Sequence, residues 1–358
     1  MFLRVGLLVA SVILMITGLW AGVVRIGWAL PAAGLAHLHG PLMVAAFFGT
    51  LIALERAVGL GKAWTYTGPT LMAIGGLAFL FHADLRWIML TITAGGALYV
   101  TVAAYIYKLQ PADFTFAMGL GALSLFVGDV FWMLGAAPQV ISLWWTAFIV
   151  FIVSGERLEL SRFLPKPLAA IRAIIVVILL GLLGLVIMPW QLNLGTRLLG
   201  LSFLLQAVWL LRYDIAWVNT RYREGVHKFM GVSLLTGYVW LLLGGLWLLL
   251  AGLPVPAGPS YDAPLHMVLV GFTFAMVFGH APVIFPAVLR LRIRFHPSMY
   301  VPLWVLHLSL VARVLGDYLG SAPWRMWGGL FDALAVVTYF GLAMLVTLYG
   351  PEPAQASK

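Results

Sequence analysis

The chain has 358 residues, of which 63% are hydrophobic and only 9% charged. A soluble domain this size covers itself with about a quarter charged residues. A soluble enzyme, a nucleic-acid reader and a disordered scaffold are therefore excluded, and the solvent is a lipid bilayer. The net charge of +9 reads for topology, not for nucleic acid. With no cysteine, disulfides, zinc–thiolate sites, iron–sulfur clusters and covalently attached c-type haem are excluded too. Any metal must be held by His, Met, Asp or Glu.

A spanning helix needs about 20 mostly apolar residues. Twelve such runs are predicted in chain order, at 5–24, 32–54, 64–82, 86–107, 114–135, 139–158, 169–188, 195–213, 228–251, 262–288, 298–317 and 325–349. Turn residues and charge separate them, as at Gly59-Leu60-Gly61-Lys62, Gln110-Pro111-Ala112-Asp113 and Pro165-Lys166-Pro167. The first run is longer than a signal core and no Ala-x-Ala site follows, so it is read as an anchor. The expected fold is an all-α polytopic membrane protein: one twelve-helix domain over 1–350 and a short cytoplasmic tail, 351–358.

Basic residues set the orientation. With the N-terminus in the cytoplasm, all but five of the 21 Lys and Arg fall inside. The five are Arg25, Arg86, Arg197, Arg313 and Arg325. This asymmetry predicts cytoplasmic termini in a bacterial-type cytoplasmic membrane. The inner ends of the second, sixth and tenth runs are alike in kind, reading Ala53-Leu54-Glu55-Arg56, Gly155-Glu156-Arg157-Leu158 and Val288-Leu289-Arg290-Leu291. Their four-helix spacing hints at three pseudo-repeated four-helix units; the alternative is that three helix ends simply carry charge.

Eight histidines carry the chemistry. His82, His227 and His296 fall in loops or at helix ends and read as solvated. His39 and His266 lie in the outer parts of the second and tenth runs, within roughly one helical turn of the same depth. A buried imidazole in lipid is costly unless partnered, so such a pair is a functional hypothesis by default. Two imidazoles facing each other suit a bis-His haem b; the alternative is a hydrogen bond from each to a neighbouring carbonyl. His37 and His39 are about 200° apart on a helix, and His39 is the better placed because Gly40 leaves room for a flat ring. Pro264 lacks a backbone donor two residues before His266, which predicts that His266 is the more easily displaced of the two. His307, in the eleventh run, reads as a second haem, copper or quinone-site donor, or as a His bonded to a neighbouring helix. His37, His280 and His307 are the candidates for a second metal or cofactor site. Glu156 and Glu159 read as the start of a proton path or, more plainly, as charges marking a helix end.

The stretch His39-Gly40-Pro41-Leu42-Met43-Val44-Ala45-Ala46-Phe47-Phe48 resembles the second helix of subunit I of the haem–copper oxidases. His266-Met267-Val268-Leu269-Val270-Gly271-Phe272 resembles that family's tenth helix. The resemblance implies an oxidase subunit I-like twelve-helix scaffold with His39 and His266 as axial ligands of one low-spin haem. Gly18 to Leu30, with Arg25, resembles the end of its first helix, where an Arg lies near that haem. Ala322-Pro323-Trp324-Arg325 is similar in place to its propionate-binding arginines. Haem propionates need cations at the membrane edge, which makes Arg25 and Arg325 the first two candidates and Arg313 the third. For Arg313 the plain alternative is an i,i+4 pair with Asp317, and Asp129, Asp262 and Asp332 are further outer acids able to absorb these charges.

The chain departs from the oxidases where copper binds. The sixth run reads Trp144-Trp145-Thr146-Ala147-Phe148, the seventh has no His, and Pro264 stands where the high-spin haem ligand would be. Gly279-His280-Ala281-Pro282 resembles the copper motif in wording but sits on another helix. Copper at an oxidase-type site is not expected. His37-Leu38-His39 and the stretch from His266 to His280 are also similar to the NnrS-type haem- and copper-containing membrane proteins of denitrifying bacteria, a family tied to nitric oxide stress. Together these imply a membrane haem protein for electron transfer or nitric oxide handling, served by a quinol, a periplasmic cytochrome or a cupredoxin. If it is an enzyme, it would be a haem-dependent oxidoreductase and not a proton-pumping oxygen reductase. Two other readings stay open: a transporter moving an anion or metal along buried His and Arg, and a structural or assembly subunit that holds haem.

Overall fold

Apolar segments in lipid must close their backbone hydrogen bonds internally, and every regular element among the described residues is helical. The computed structural model describes residues 2–253, 255–289 and 294–349, with backbone alone for 33, 163, 283–289 and 349. The predicted tail at 351–358 and the inner-end residues Arg290 and Leu291 lie outside the described residues. Twelve helices carry the fold: α1 (Phe2–Arg25), α2 (Pro41–Leu60), α3 (Thr67–Ala78), α4 (Leu85–Leu109), α5 (Asp113–Met133), α6 (Pro138–Leu160), α7 (Leu168–Ile187), α8 (Leu192–Tyr213), α9 (Gly225–Ala251), α10 (259–289), α11 (Tyr300–Leu319) and α12 (Ala322–Tyr349). All but α3 are long and apolar enough to cross a membrane. α3 gains length from a 3₁₀ turn at each end, Ala63–Tyr66 and Phe79–Phe81.

Each predicted run overlaps one of these helices, and the structure departs from the prediction in two places. The second run begins not as α-helix but as a 3₁₀ stretch, Ala33–Leu38, after Ala32 in a left-handed conformation. Between α8 and α9 a short helix, Ala216–Tyr222, was not predicted; the Asp214 carboxylate nucleates it by accepting the Ala216 N–H at 2.8 Å. Gly320, at φ 67°, ends α11 in the left-handed conformation that lets α12 fold back against it.

Neighbouring helices pack as antiparallel hairpins, and α1 closes the bundle against α12. Burial is uneven along this order. In α6, 89% of the most apolar window is buried, in α10 72% and in α2 67%, whereas no other long span exceeds 56%. The three most enclosed helices are thus every fourth one, and they touch one another. A helix apolar all round belongs in the interior, which accounts for the unbroken burial of Leu143–Val153 on α6. Elsewhere Leu, Val and Ile side chains stand exposed, as on α1 at Val9 and Ile16 and on α7 at Val176 and Leu183. These are the faces lipid covers.

Candidate functional site

A cavity of about 380 Å³ opens between α1, α2, α6, α10 and α12, at the end of the bundle where α1 finishes and α2 begins. Its size lies in the range of small-molecule and cofactor sites, and its lining is mostly apolar with a few polar groups. Met43, Phe48, Val270 and Phe274 supply apolar walls, and His39, just ahead of α2, and His266 of α10 face it.

The two imidazole rings stand 6.0 Å apart between centroids, with planes within 10° of parallel. Each Nδ1 lies 2.8 Å from a backbone carbonyl, that of Gly18 for His39 and that of Asp262 for His266. A carbonyl can only accept, so both protons sit on Nδ1 and each Nε2 keeps its lone pair. Neither Nε2 has a hydrogen-bond partner among the described residues. A metal bound end-on by two imidazoles, with metal–N bonds of about 2 Å, sets ring centroids about 6 Å apart. Among the described residues no third His, Asp or Glu joins them as a metal cage.

Local backbone explains how the rings reach these positions. Pro41–Phe48, starting two residues after His39, is π-helix, and so is Met267–Phe272, starting immediately after His266. π-Turns widen a helix by one residue and concentrate at functional sites. Pro41 and Pro264 each remove a backbone donor near a histidine. On α1, Gly18 and Gly22 form a groove at four-residue spacing for the His39 ring and Met43. A Cβ on Gly22 would come within 2.7 Å of His39 Cε1, and one on Gly18 within 2.5 Å of Met43 Sδ. Small residues at that spacing let membrane helices approach closely.

Behind His266 lies a charged chain. Asp262 Oδ1 is 3.2 Å from His266 Nδ1. The Arg313 guanidinium donates to both Asp262 oxygens, Nε to Oδ2 at 2.7 Å and Nη2 to Oδ1 at 2.9 Å. Arg313 Nη1 also approaches Asp332 Oδ2 at 3.5 Å, and Asp332 accepts from Ser309 Oγ at 2.6 Å. The partner of Arg313 is therefore not Asp317 one turn away but Asp262 and Asp332 on two other helices. Arg25 lines the cavity, is exposed, and has no partner among the described residues.

The remaining predicted residues fall in different places. Arg325 is not a lining residue: the tight turn between α11 and α12 brings its Nη1 to 3.9 Å from Asp317 Oδ1. Asp129 absorbs no arginine charge and instead accepts from Trp145 Nε1 at 2.9 Å. His37 is exposed and lines the cavity. His307 lies apart from it, with both ring nitrogens engaged across to α9: Nδ1 accepts from Trp240 Nε1 at 3.0 Å and Nε2 donates to Thr236 Oγ1 at 2.8 Å. His280 is buried about 20 Å further along α10 than His266. Its Nδ1 donates to the Met276 carbonyl at 2.7 Å, leaving Nε2 buried without a partner. His37, His280 and His307 thus do not converge on a second site. The Asp262 carboxylate behind His266 and the α1 glycine groove escaped the sequence reading. Their signals were present, as Asp-x-x-x-His on one helical face and Gly-x-x-x-Gly before Arg25.

No curated protein and no solved structure matches the chain. One family model does, over residues 4–348, and the chain therefore belongs to the family described as a domain of unknown function, DUF8744.

Proposed function

We propose that this is a b-type haem protein of the membrane in which His39 and His266 would hold one haem between them, serving electron transfer or the handling of nitric oxide. The observation that carries the reading is the pair of unpartnered Nε2 atoms on near-parallel rings 6.0 Å apart across an apolar cavity. Two imidazoles alone leave an octahedral ion four ligands short, and a porphyrin brings four nitrogens with it. When bound, a haem supplies a one-electron couple and an iron able to take a diatomic gas.

The chain's own residues have separable tasks. The two Nδ1–carbonyl bonds fix ring orientation and tautomer, which is how outer partners prepare histidine ligands. Phe48, Phe274 and Met43 keep the cavity apolar, and Arg25 offers a cation to a propionate. Arg313 is already held by two carboxylates, so it contributes shape and fixed hydrogen bonds rather than a free charge. The likeness to an oxidase scaffold belongs to the same proposal. It is supported by ligands arising on α2 and α10 and by the enclosure of α2, α6 and α10. With the termini in the cytoplasm, as the basic residues suggest, the cavity opens in the outer leaflet.

The deciding measurement is the absorption spectrum of the purified protein, oxidised and then reduced with dithionite. Sharp low-spin b-type bands in about one haem per chain are expected. Protein expressed with ample haem that shows no Soret band sinks the proposal.

A further inference from the structure

The two ligand positions of this cavity are built differently, and the difference has a functional consequence that rests on the haem reading above. His266 lies within the continuous helix α10, between Pro259–His266 and the π-helical turn Met267–Phe272. Its Nδ1–H meets the Asp262 carbonyl at 2.8 Å and the Asp262 carboxylate at 3.2 Å. That carboxylate is locked by two hydrogen bonds from the buried Arg313, itself steadied by Asp332. A carboxylate behind a ligating histidine fixes the ring and makes the opposite nitrogen a stronger donor.

His39 has none of this. Its Nδ1–H meets one neutral carbonyl, that of Gly18 on a different helix. It sits where a 3₁₀ stretch, Ala33–Leu38, passes through Gly40 into the π-helix Pro41–Phe48. Short 3₁₀ turns bond less well than α-helix.

We infer that His39 is the exchangeable ligand and Asp262 the positioning residue that holds His266 in place, so that a neutral diatomic gas enters on the α2 side by replacing His39 Nε2. This reverses the expectation drawn from Pro264. The missing N–H of Pro264 falls in the first two turns of α10, while the Asp262–Arg313 pair supplies the restraint that a proline would otherwise remove.

The test uses purified holoprotein reduced with dithionite and carbon monoxide as the probe. In the wild type, the carbon monoxide adduct should match that of His39→Ala in its absorption and resonance Raman spectra. His39→Ala should bind the gas about tenfold faster or more, since no internal ligand competes. Asp262→Asn should move the midpoint potential upward and lower the iron–histidine stretching frequency of the five-coordinate ferrous state in the His39→Ala background. Asp262→Glu should restore part of both, which a merely structural role would not produce. Should His39→Ala fail to fold, the midpoint potential of Asp262→Asn and the carbon monoxide adduct of the wild type, compared with that of His266→Ala, decide the matter. A wild-type adduct that keeps His39 and has lost His266, or a reduced protein inert to carbon monoxide, overturns this inference while leaving the haem reading standing. Absence of haem overturns both.

Discussion

Gly22 of α1 stands against the imidazole of His39, so close that a Cβ there would lie 2.7 Å from Cε1 and 2.8 Å from Nδ1. The wall that orients this ring is thus made by the absence of a side chain. Gly22→Leu is expected to push His39 out of line with His266. Overpacking of this kind costs about 1–3 kcal/mol, too little to unfold a twelve-helix bundle. Membrane insertion and yield should stay near normal while the low-spin spectrum turns high-spin. A Gly22→Leu protein with unaltered bands would show that the ring does not depend on this contact.

Ligation itself is tested more directly. His39→Ala and His266→Ala should each abolish the six-coordinate low-spin spectrum, with the greater loss of bound haem in His266→Ala because Asp262 supports that ligand. Unchanged spectra in both single variants would remove these residues from the iron.

The twelve helices were legible because a span of about 20 apolar residues has few other fates. The pairing of His39 with His266 was legible from depth alone, through matched distances from two helix starts. The π-helical turns after each histidine were not, since a π-turn depends on how neighbouring helices crowd the backbone and not on local propensity. For Arg313 the sequence left a propionate, Asp317 on its own helix and the outer acids Asp129, Asp262 and Asp332 open, because it does not show which helices pack together; Asp262 and Asp332, which hold it, come from α10 and α12. His307 illustrates the same limit. A bond to a neighbouring helix was among its readings, but its partners Trp240 and Thr236 are 67 and 71 residues away in sequence, so they could not be named from its surroundings on α11.

Arg313 should matter to stability more than any other outer arginine. Its side chain is only 8% exposed and balances two carboxylates, whereas Arg325 is 27% exposed and meets Asp317 only at 3.9 Å. Removing one partner of a buried ion pair costs about 3–5 kcal/mol, because the other charge is left stranded. Arg313→Met should lower the detergent-phase melting temperature strongly, and Arg313→Met with Asp262→Asn should recover part of the loss. Arg325→Gln should shift it little. Equal shifts for the two single arginine variants would contradict this ranking.

Oxygen reduction with oxidase-like turnover is not expected. The His residues that would hold copper are absent from α6 and α7, and in the proposed state His39 and His266 would both be engaged with the haem. Oxygen-electrode measurements with a reduced quinol or an artificial donor should give rates at background. Sustained turnover together with one copper per chain would overturn the expectation.

Arg25 supplies the remaining charge at the cavity, and its position makes a signed prediction. It is exposed and has no acidic partner among the described residues, so its field at the cavity is not cancelled as that of Arg313 is. A nearby cation favours the reduced centre, which carries one more electron. Arg25→Gln should therefore lower the midpoint potential, by about 40 mV for a charge interaction of about 1 kcal/mol in a largely aqueous setting. Because the side chain meets solvent, the shift should shrink as ionic strength rises past about 0.1 M. Arg313→Lys, where the charge stays and the two carboxylates remain, should move the potential less. Redox titrations of the three proteins at low and high salt give the answer. A rise in potential on removing Arg25, or a shift indifferent to salt, would place its charge away from the redox centre.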